Sequence, residues 1–172
     1  MGEIKGHNYE GVIEKVLLKM EKKIEIYLDI AKRVGVFKPA ELAVLKEVLE
    51  DYYKNPQSSY CIFDERKEDK IIGFVIFGKA SLTDFSWDIY WLIVGKDSQG
   101  KGFGKRLIKR IEEFIFTKYD RAVLRVETSL KKEYLHARNL YQKMGFSKAG
   151  EIPNFYSKED SLIIYCKEII KS

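Results

Sequence analysis

The sequence is poor in cysteine, histidine and proline, with two, two and three residues of these types among 172. Cys61 and Cys166 lie far apart and neither has a CxxC partner, so the ligand spacing of a zinc site is missing. His7 and His136 are the remaining candidate ligands, and they do not complete such a site. We therefore expect reduced, packed thiols and no bound metal.

Long apolar runs are also missing. No segment approaches the roughly 20 apolar residues that a membrane helix requires. The first residues, MGEIKGHNYEG, lack the apolar centre of a signal peptide. We expect a cytoplasmic protein without a membrane partner, and the sequence does not distinguish a monomer from a homodimer.

The composition is that of a soluble globular protein, with 45% hydrophobic and 33% charged residues. The length fits one domain over residues 1–172, with residues 1–10 as a flexible N-terminal extension. The net charge of +5 attracts polyanions, but the lysines are spread along the chain. Because the sequence has no helix-turn-helix or RNA-binding signature, we expect no nucleic-acid partner.

The first third of the chain mixes two patterns. The β-branched content of GVIEKVLLK predicts a strand over residues 11–19, and the apolar spacing that follows predicts a helix over 21–34. Residues 38–54 predict a second helix, because Pro39 stands at an early position and apolar residues recur on one face.

The middle of the chain changes to a strand pattern. Residues 60–66 and 70–80 predict a hairpin. Residues 85–94 are apolar on both faces, which is typical of a central strand. A helix with one apolar face is expected from Phe103 onward.

The last third completes an α/β layer structure. Residues 120–129 predict a strand and residues 131–145 a helix that ends at Gly145. Residues 146–152 and 161–169 predict two closing strands.

The stretch SQGKGFGKRL, which begins at Ser98, links the predicted central strand to the helix. It is not a Walker A loop, because Gln99 occupies the position of the first glycine and Arg106 that of the Ser or Thr. It also lacks the third glycine of the dinucleotide fingerprint. A glycine-rich loop at a helix N-terminus nevertheless directs several backbone N–H groups at one point, where a phosphate or pyrophosphate binds well. The alternative is a turn that only reverses the chain.

Two motifs carry a family resemblance. Gln99-Gly100-Lys101-Gly102-Phe103-Gly104 resembles the [Arg/Gln]-x-x-Gly-x-[Gly/Ala] signature of the GNAT superfamily of N-acetyltransferases. The segment 137–146, with Ala137, Tyr141 and Gly145-Phe146, is similar to the late helix and turn of that family. The sequence departs from the family at Tyr134, where members often carry an asparagine.

The resemblance implies a fold and an activity. The fold is α/β (α+β): a mixed, largely antiparallel central sheet of six to seven strands, with helices on both faces. The sheet is expected to splay between its fourth and fifth strands, which are residues 85–94 and 120–129. The activity implied is transfer of an acetyl group from acetyl-coenzyme A to a primary amine of a small molecule or protein, by direct attack on the thioester. The alternative is a non-catalytic sensor or interaction domain that binds coenzyme A.

The resemblance also implies which residues contact the coenzyme. In the family the glycine loop binds the pyrophosphate, and the strand before it binds the pantetheine arm. The cofactor-binding residues implied in this sequence are Leu92, Ile93, Val94, Gln99, Gly100, Lys101, Gly102, Phe103, Gly104, Lys105 and Arg138.

Three side chains and one backbone group are the catalytic candidates implied by the resemblance. Asp88, eleven residues before Gln99, corresponds to the carboxylate that removes a proton from the amine, and Glu127 is the reserve base. Each is otherwise explained as an exposed residue at a strand end. The Leu92 amide corresponds to the donor that stabilises negative charge on the thioester oxygen. Tyr141 corresponds to the acid that protonates the departing thiolate, or else is a core aromatic.

Overall fold

The computed structural model describes residues 9–171 of the chain, which form four α-helices and six strands. Two short 3-10 turns over Lys96–Ser98 and Lys132–Tyr134 precede α3 and α4. The elements are α1 (Tyr9–Val34), α2 (Pro39–Lys54), β1 (Tyr60–Lys67), β2 (Lys70–Lys79), β3 (Ser86–Val94), α3 (Phe103–Ile115), β4 (Arg121–Ser129), α4 (Leu135–Lys143), β5 (Ser147–Ser157) and β6 (Asp160–Ile170).

The prediction of a strand over residues 11–19 is wrong, because this segment is the first half of the 26-residue helix α1. Its apolar residues continue the stripe that is buried further along the helix at Ile24, Tyr27 and Ala31. That stripe has the three-to-four-residue spacing of a helix, whereas β-branched content is a weaker signal of strand structure. The predicted extension over 1–10 lies mainly outside the described residues, and residues 9 and 10 already belong to α1.

The six strands form one sheet in the order β1-β2-β3-β4-β6-β5. All neighbouring pairs are antiparallel except β3 and β4, which are parallel. Helix α3 makes the crossover between these two parallel strands. The mixed, largely antiparallel sheet predicted from the resemblance is therefore confirmed, with β3 at its centre.

The two parallel strands pair over only part of their length. Their register runs from Ser86 opposite Val123 to Ile89 opposite Val126, although β3 continues to Val94. Beyond Ile89 the strands separate. The predicted splay is confirmed, between what are the third and fourth strands in chain order because the first predicted strand is helical.

Helices cover both faces of the sheet, as predicted. Successive residues of β2 show this most clearly: Phe74 and Ile76 pack against α1 and α2, while Val75 and Phe77 pack on the side of α3. All four side chains are fully buried. The core beneath α1 and α2 draws its buried strand residues from β2 and β3 alone, so it leaves this face of β4 uncovered.

Two absences hold for residues 9–171. No helix there is long and apolar enough to cross a bilayer. No three or more His, Cys, Asp or Glu side chains come together as a potential metal site.

The buried face of α2 leads to a prediction about stability. Leu45 is 0% exposed, so Leu45→Ala is expected to lower the free energy of unfolding by about 2 to 5 kcal/mol through lost burial and the cavity created. Leu18→Ala is the matched control, since Leu18 is also helical but 51% exposed. Urea unfolding of both variants measures the difference, and equal losses would contradict the packing described.

Candidate active site

A cavity of about 1220 Å³ lies in the opening between β3 and β4. It is bounded by the two strands, the loop before α3, helix α4 and the segment that joins α1 to α2. Most of the residues predicted as site residues line it. They are Asp88, Leu92, Ile93, Val94, Gln99, Gly100, Gly102, Phe103, Gly104, Lys105, Glu127 and Tyr141.

The loop that precedes α3 presents free backbone donors to this cavity. The amide of Arg106 is bonded to the carbonyl of Gly102 at 3.0 Å, as in the first turn of a helix, and Gln99 N–H makes a long contact of 3.4 Å to Lys96. Between them, no backbone carbonyl within residues 9–171 accepts a hydrogen bond from the amides of residues 100–105. Several N–H groups therefore converge at the positive end of the helix dipole.

The shape of the loop requires glycine at two positions. Gly100 and Gly102 have φ angles of +74° and +82°, in the left-handed region that disfavours other residues. A Cβ at either position would meet nothing within 4 Å, so open space rather than packing surrounds them. The glycines thus set the backbone that aims the amides and leave room for a ligand to approach.

The loop is tied to the protein by two side chains. Gln99 Nε2 donates to the carbonyl oxygen of Val94 at 3.0 Å, which joins the loop to the end of β3. Lys101 Nζ donates to the carbonyl of Asp97 at 2.8 Å, and Lys101 does not line the cavity. Gln99 therefore holds the loop in place, and Lys101 contributes charge from outside the wall.

Positive charge is concentrated at the loop side of the cavity. Lys105 follows Gly104 on the first turn of α3, and both line the cavity. Leu140 of α4 packs closely against Gly104, since a Cβ built on Gly104 would lie 2.8 Å from Leu140 Cδ2. Lys143 lies one turn after Leu140 and also lines the cavity, so its charge is on the loop side too. Free amides flanked by ammonium groups suit a phosphorylated ligand.

Tyr141 lies on α4 and is 4% exposed, with its ring against Phe146 and Tyr165. No other side chain in residues 9–171 makes a hydrogen bond with its hydroxyl, and the residue lines the cavity. Burial raises the pKa of Tyr141 well above its usual value. The hydroxyl is therefore a protonated, unpartnered donor throughout the neutral range.

Two carboxylates share one arginine on the opposite side of the opening. Arg125 Nε lies 2.6 Å from Asp88 Oδ1, and its Nη1 lies 3.6 Å from Glu127 Oε1. The Asp88 side chain is 13% exposed and that of Glu127 is 43% exposed. Asp88 is thus held in one orientation by its ion pair, with its other oxygen free of that bond.

The end of β3 supplies backbone groups to the cavity. Residues 91–94 pair with β2, Tyr90 is the extra residue at a shift in that register, and none of residues 90–94 pairs with β4. A strand hydrogen-bonds on both sides, so the groups of this segment that point toward β4 are left for water or a ligand, except the Val94 carbonyl, which accepts from Gln99. Leu92 and Val94 lie in this segment and both line the cavity.

Arg138 and Tyr134, near the start of α4, make contacts within the protein that the family motif did not indicate. Arg138 Nη1 donates to the carbonyls of Ser129 and Lys131 at 2.7 and 2.8 Å, and it does not line the cavity. Tyr134, which replaces the common asparagine, reaches Glu41 Oε1 at 3.5 Å. Tyr134 and Glu41 both line the cavity, so their contact joins α2 to the start of α4 across it.

Sequence reasoning missed Arg125, Glu41 and Asp160 as cavity residues. Alternation along β4 gave a signal for Arg125, because this charged residue stands between the buried Leu124 and Val126, and Glu127 follows at the next exposed position. Glu41 gave no such signal. It stands in a capping box, accepting a bond from the Lys38 amide at 2.8 Å, which is sufficient reason for a glutamate at that position.

Comparisons with known proteins identify the family. Residues 56–148 match the family model described as "Acetyltransferase (GNAT) domain", which is more than half of the chain. A protein of Bacillus subtilis subsp. natto named "Probable spermine N(1)-acetyltransferase" is 28% identical over 115 residues, which cover 63% of this chain and 69% of that protein.

Solved structures share the fold. An acetyltransferase assigned to the GNAT family from Desulfovibrio desulfuricans superposes with a TM-score of 0.79 at 25% identity, covering 86% of this chain and 92% of the other. An aminoglycoside 6'-N-acetyltransferase solved with coenzyme A gives a TM-score of 0.68 at 15% identity, with coverage of 87% and 92%. The second likeness concerns the fold alone.

The left-handed loop glycines lead to a prediction. Gly102→Ala is expected to lower the free energy of unfolding by about 1 kcal/mol, because a positive φ is unfavourable for alanine even where no neighbouring atom is in the way. Gly11→Ala is the control: this glycine lies in α1, also with nothing within 4 Å, and its φ is not in the left-handed region. The control should be neutral or slightly stabilising in urea unfolding. A Gly102→Ala variant as stable as the control would contradict the loop conformation.

Proposed function

The chain belongs to the GNAT acetyltransferase family, and from this premise we propose that it transfers an acetyl group from acetyl-coenzyme A to a primary amine. The observation that carries the proposal is a single cavity that combines a cradle of free amides with the unpartnered hydroxyl of the buried residue Tyr141. The first feature suits a diphosphate, and the second suits a leaving group that needs a proton.

The residues present fit the coenzyme. The amides of residues 100–105 would hold the pyrophosphate, and the open space beside Gly100 and Gly102 admits it. Lys105 and Lys143 would neutralise part of its charge. The unpaired edge of β3 over residues 90–94 would bond the pantetheine arm as a missing strand does. When bound, the coenzyme supplies an activated acetyl thioester.

An alkylamine has a pKa of about 10 and is mostly protonated at neutral pH, so a base must remove a proton before attack. We assign this role to Asp88, directly or through one water. Arg125 fixes the orientation of the carboxylate through Oδ1 and leaves Oδ2 to accept the proton. Glu127 lies at the other end of the same arginine and holds the reserve position.

The remaining steps use one backbone group and one hydroxyl. We assign the Leu92 amide to the negative charge that develops on the thioester oxygen, since an N–H freed from a sheet is already oriented and needs no reorganisation. We assign Tyr141 to protonation of the departing thiolate. Burial raises the pKa of Tyr141, so its hydroxyl is protonated at neutral pH and can donate to the sulfur as negative charge develops there.

Tyr141→Phe tests the proposal directly. We expect kcat to fall by about 10²- to 10⁴-fold, because a positioned proton donor is removed, while acetyl-coenzyme A still binds. Thiol release from acetyl-coenzyme A with a panel of primary amines measures turnover, and the thermal shift measures binding. Ligand at 100 times its Kd should add about 2.7 kcal/mol of stability to both proteins.

Tyr165→Phe is the matched control, because this buried tyrosine lies 6.1 Å from Tyr141 ring to ring and does not line the cavity. It should retain activity. Coenzyme binding without turnover in the unsubstituted protein, across the whole panel, would indicate a sensor and overturn the catalytic proposal.

A second prediction tests whether Asp88 or Glu127 is the general base. Asp88→Asn is expected to lower kcat/KM at pH 7 by about 10²- to 10⁴-fold, as removal of a general base does. Glu127→Gln, which keeps the Asp88 ion pair, should change kcat/KM by less than about tenfold. Initial rates from pH 6 to 10 test this, since the defect of the true base shrinks as the amine loses its own proton. The reverse ranking would transfer the role to Glu127.

A further inference from the structure

The wall of the cavity away from the glycine loop is acidic. Four carboxylates line it, from α2, β3, β4 and the start of β6: Glu41, Asp88, Glu127 and Asp160. Two basic residues in contact with them, Arg125 and Lys131, also line the cavity. One further acid and one further base, Glu133 and Lys38, line the cavity and offset each other.

The ion pairs leave negative charge uncompensated. Asp160 is paired with Lys131 at 3.5 Å and bonded to the Ser129 hydroxyl. Asp88 and Glu127 share Arg125, so one cation serves two anions. Glu41 forms no ion pair with any cationic side chain in residues 9–171, because its contacts are to the backbone amide of Lys38 and to a tyrosine hydroxyl.

Tyrosine rings stand among these carboxylates. Burial raises the pKa of Tyr156 to about 12, and the negative charges of Glu127, Asp160 and Glu41 contribute to the increase. Burial likewise raises the pKa of Tyr134 to about 12, with Glu41 as the next cause. Tyr156 and these three carboxylates line the same cavity. A cation bound here could form an ion pair with a carboxylate and lie against the face of a tyrosine ring.

A second observation, independent of the acidic wall, indicates that this cavity binds a ligand. Tyr141 is 4% exposed and its hydroxyl faces the cavity without a partner, as described above. The chain as a whole carries a net charge of +5 and would repel a cation from a distance. An excess of anions in one wall, opposite the lysines of the loop side, is therefore a local feature that runs against the overall charge.

We propose that the acceptor is a polyamine: an aliphatic amine that carries at least one cationic nitrogen besides the reacting one, held by Glu41 between Tyr134 and Tyr156. This inference rests on the proposed function. The terminal nitrogen attacks the thioester carbon, the carbon–sulfur bond breaks, and the amine proton passes to the base and then to solvent. The thiolate takes one proton from Tyr141, which regains a proton from the acylated nitrogen, so the products are the amide, the free thiol and one proton released to solvent. The second nitrogen keeps its charge throughout. Glu41 is thus a specificity-determining residue, not a catalytic one.

Binding is measured first, because it does not depend on turnover. Spermidine, 1,4-diaminobutane and 1-aminobutane are titrated into the protein with coenzyme A by calorimetry at low salt. We expect each polyamine to bind at least about tenfold more tightly than the monoamine, since one additional charge-assisted contact separates them. The difference should shrink at high salt. Equal affinities for the diamine and the monoamine would overturn the proposal.

Glu41→Gln locates the site. The amide oxygen of glutamine can still accept the bond from the Lys38 N–H, so the helix N-terminus is preserved. We expect polyamine affinity to fall by about 10- to 100-fold and 1-aminobutane affinity to stay unchanged. Glu47→Gln is the matched control: it lies on the same helix, is exposed and does not line the cavity, and it should have no effect. A loss of affinity equal in both variants would contradict the role of Glu41.

Turnover then separates this inference from the proposed function. Thiol release with spermidine and 1,4-diaminobutane, with a KM at least about tenfold below that of 1-aminobutane, would support both. Turnover that favours the monoamine or a peptide N-terminus would overturn the polyamine inference and leave acetyl transfer intact. Tight polyamine binding without any thiol release would overturn the catalytic proposal and leave the binding site intact.

Discussion

The separation of two parallel strands is the constraint on which the rest of the structure depends. Strands β3 and β4 pair from Ser86 and Val123 to Ile89 and Val126, and then part within a sheet that is otherwise continuous. Unpaired backbone groups in a protein interior are costly unless water or a ligand satisfies them. The opening is tolerated because both strands are held on their other sides, β3 by β2 and β4 by β6. A sheet anchored in this way can keep a gap of fixed shape.

The surroundings of the gap divide it into two electrostatic halves. On the loop side, free amides and lysines favour phosphate, and on the other side carboxylates and tyrosines favour a cation. Between these halves lie the edge of β3 and the hydroxyl of the buried residue Tyr141. A donor and an acceptor bound in their preferred halves would meet at the strand edge, where our proposal places the chemistry.

The sequence predicted those elements whose signals are local. It predicted the loop of residues 99–104, the apolar strand before the loop and the helix after it. Each was predictable because the placement of glycines and the hydrophobic periodicity are signals that extend over only a few residues. The first half of α1 was misread, since its exposed Val12, Ile13 and Val16 suggest a strand in composition. Only the continuation of the stripe into the buried Ile24 and Tyr27 identifies a helix, and that burial depends on β2 and α2.

By itself, then, the sequence determined the order of most elements, the glycine-rich loop before α3 and the family resemblance, because each rests on neighbours in the chain. The tertiary structure alone decided that Arg125 joins Asp88 to Glu127, that Arg138 supports a strand end, and that Tyr134 meets Glu41 across 93 residues of sequence. Charge pairing and desolvation depend on which side chains meet in space. No spacing along the chain encodes the distance between a carboxylate on α2 and a phenol before α4.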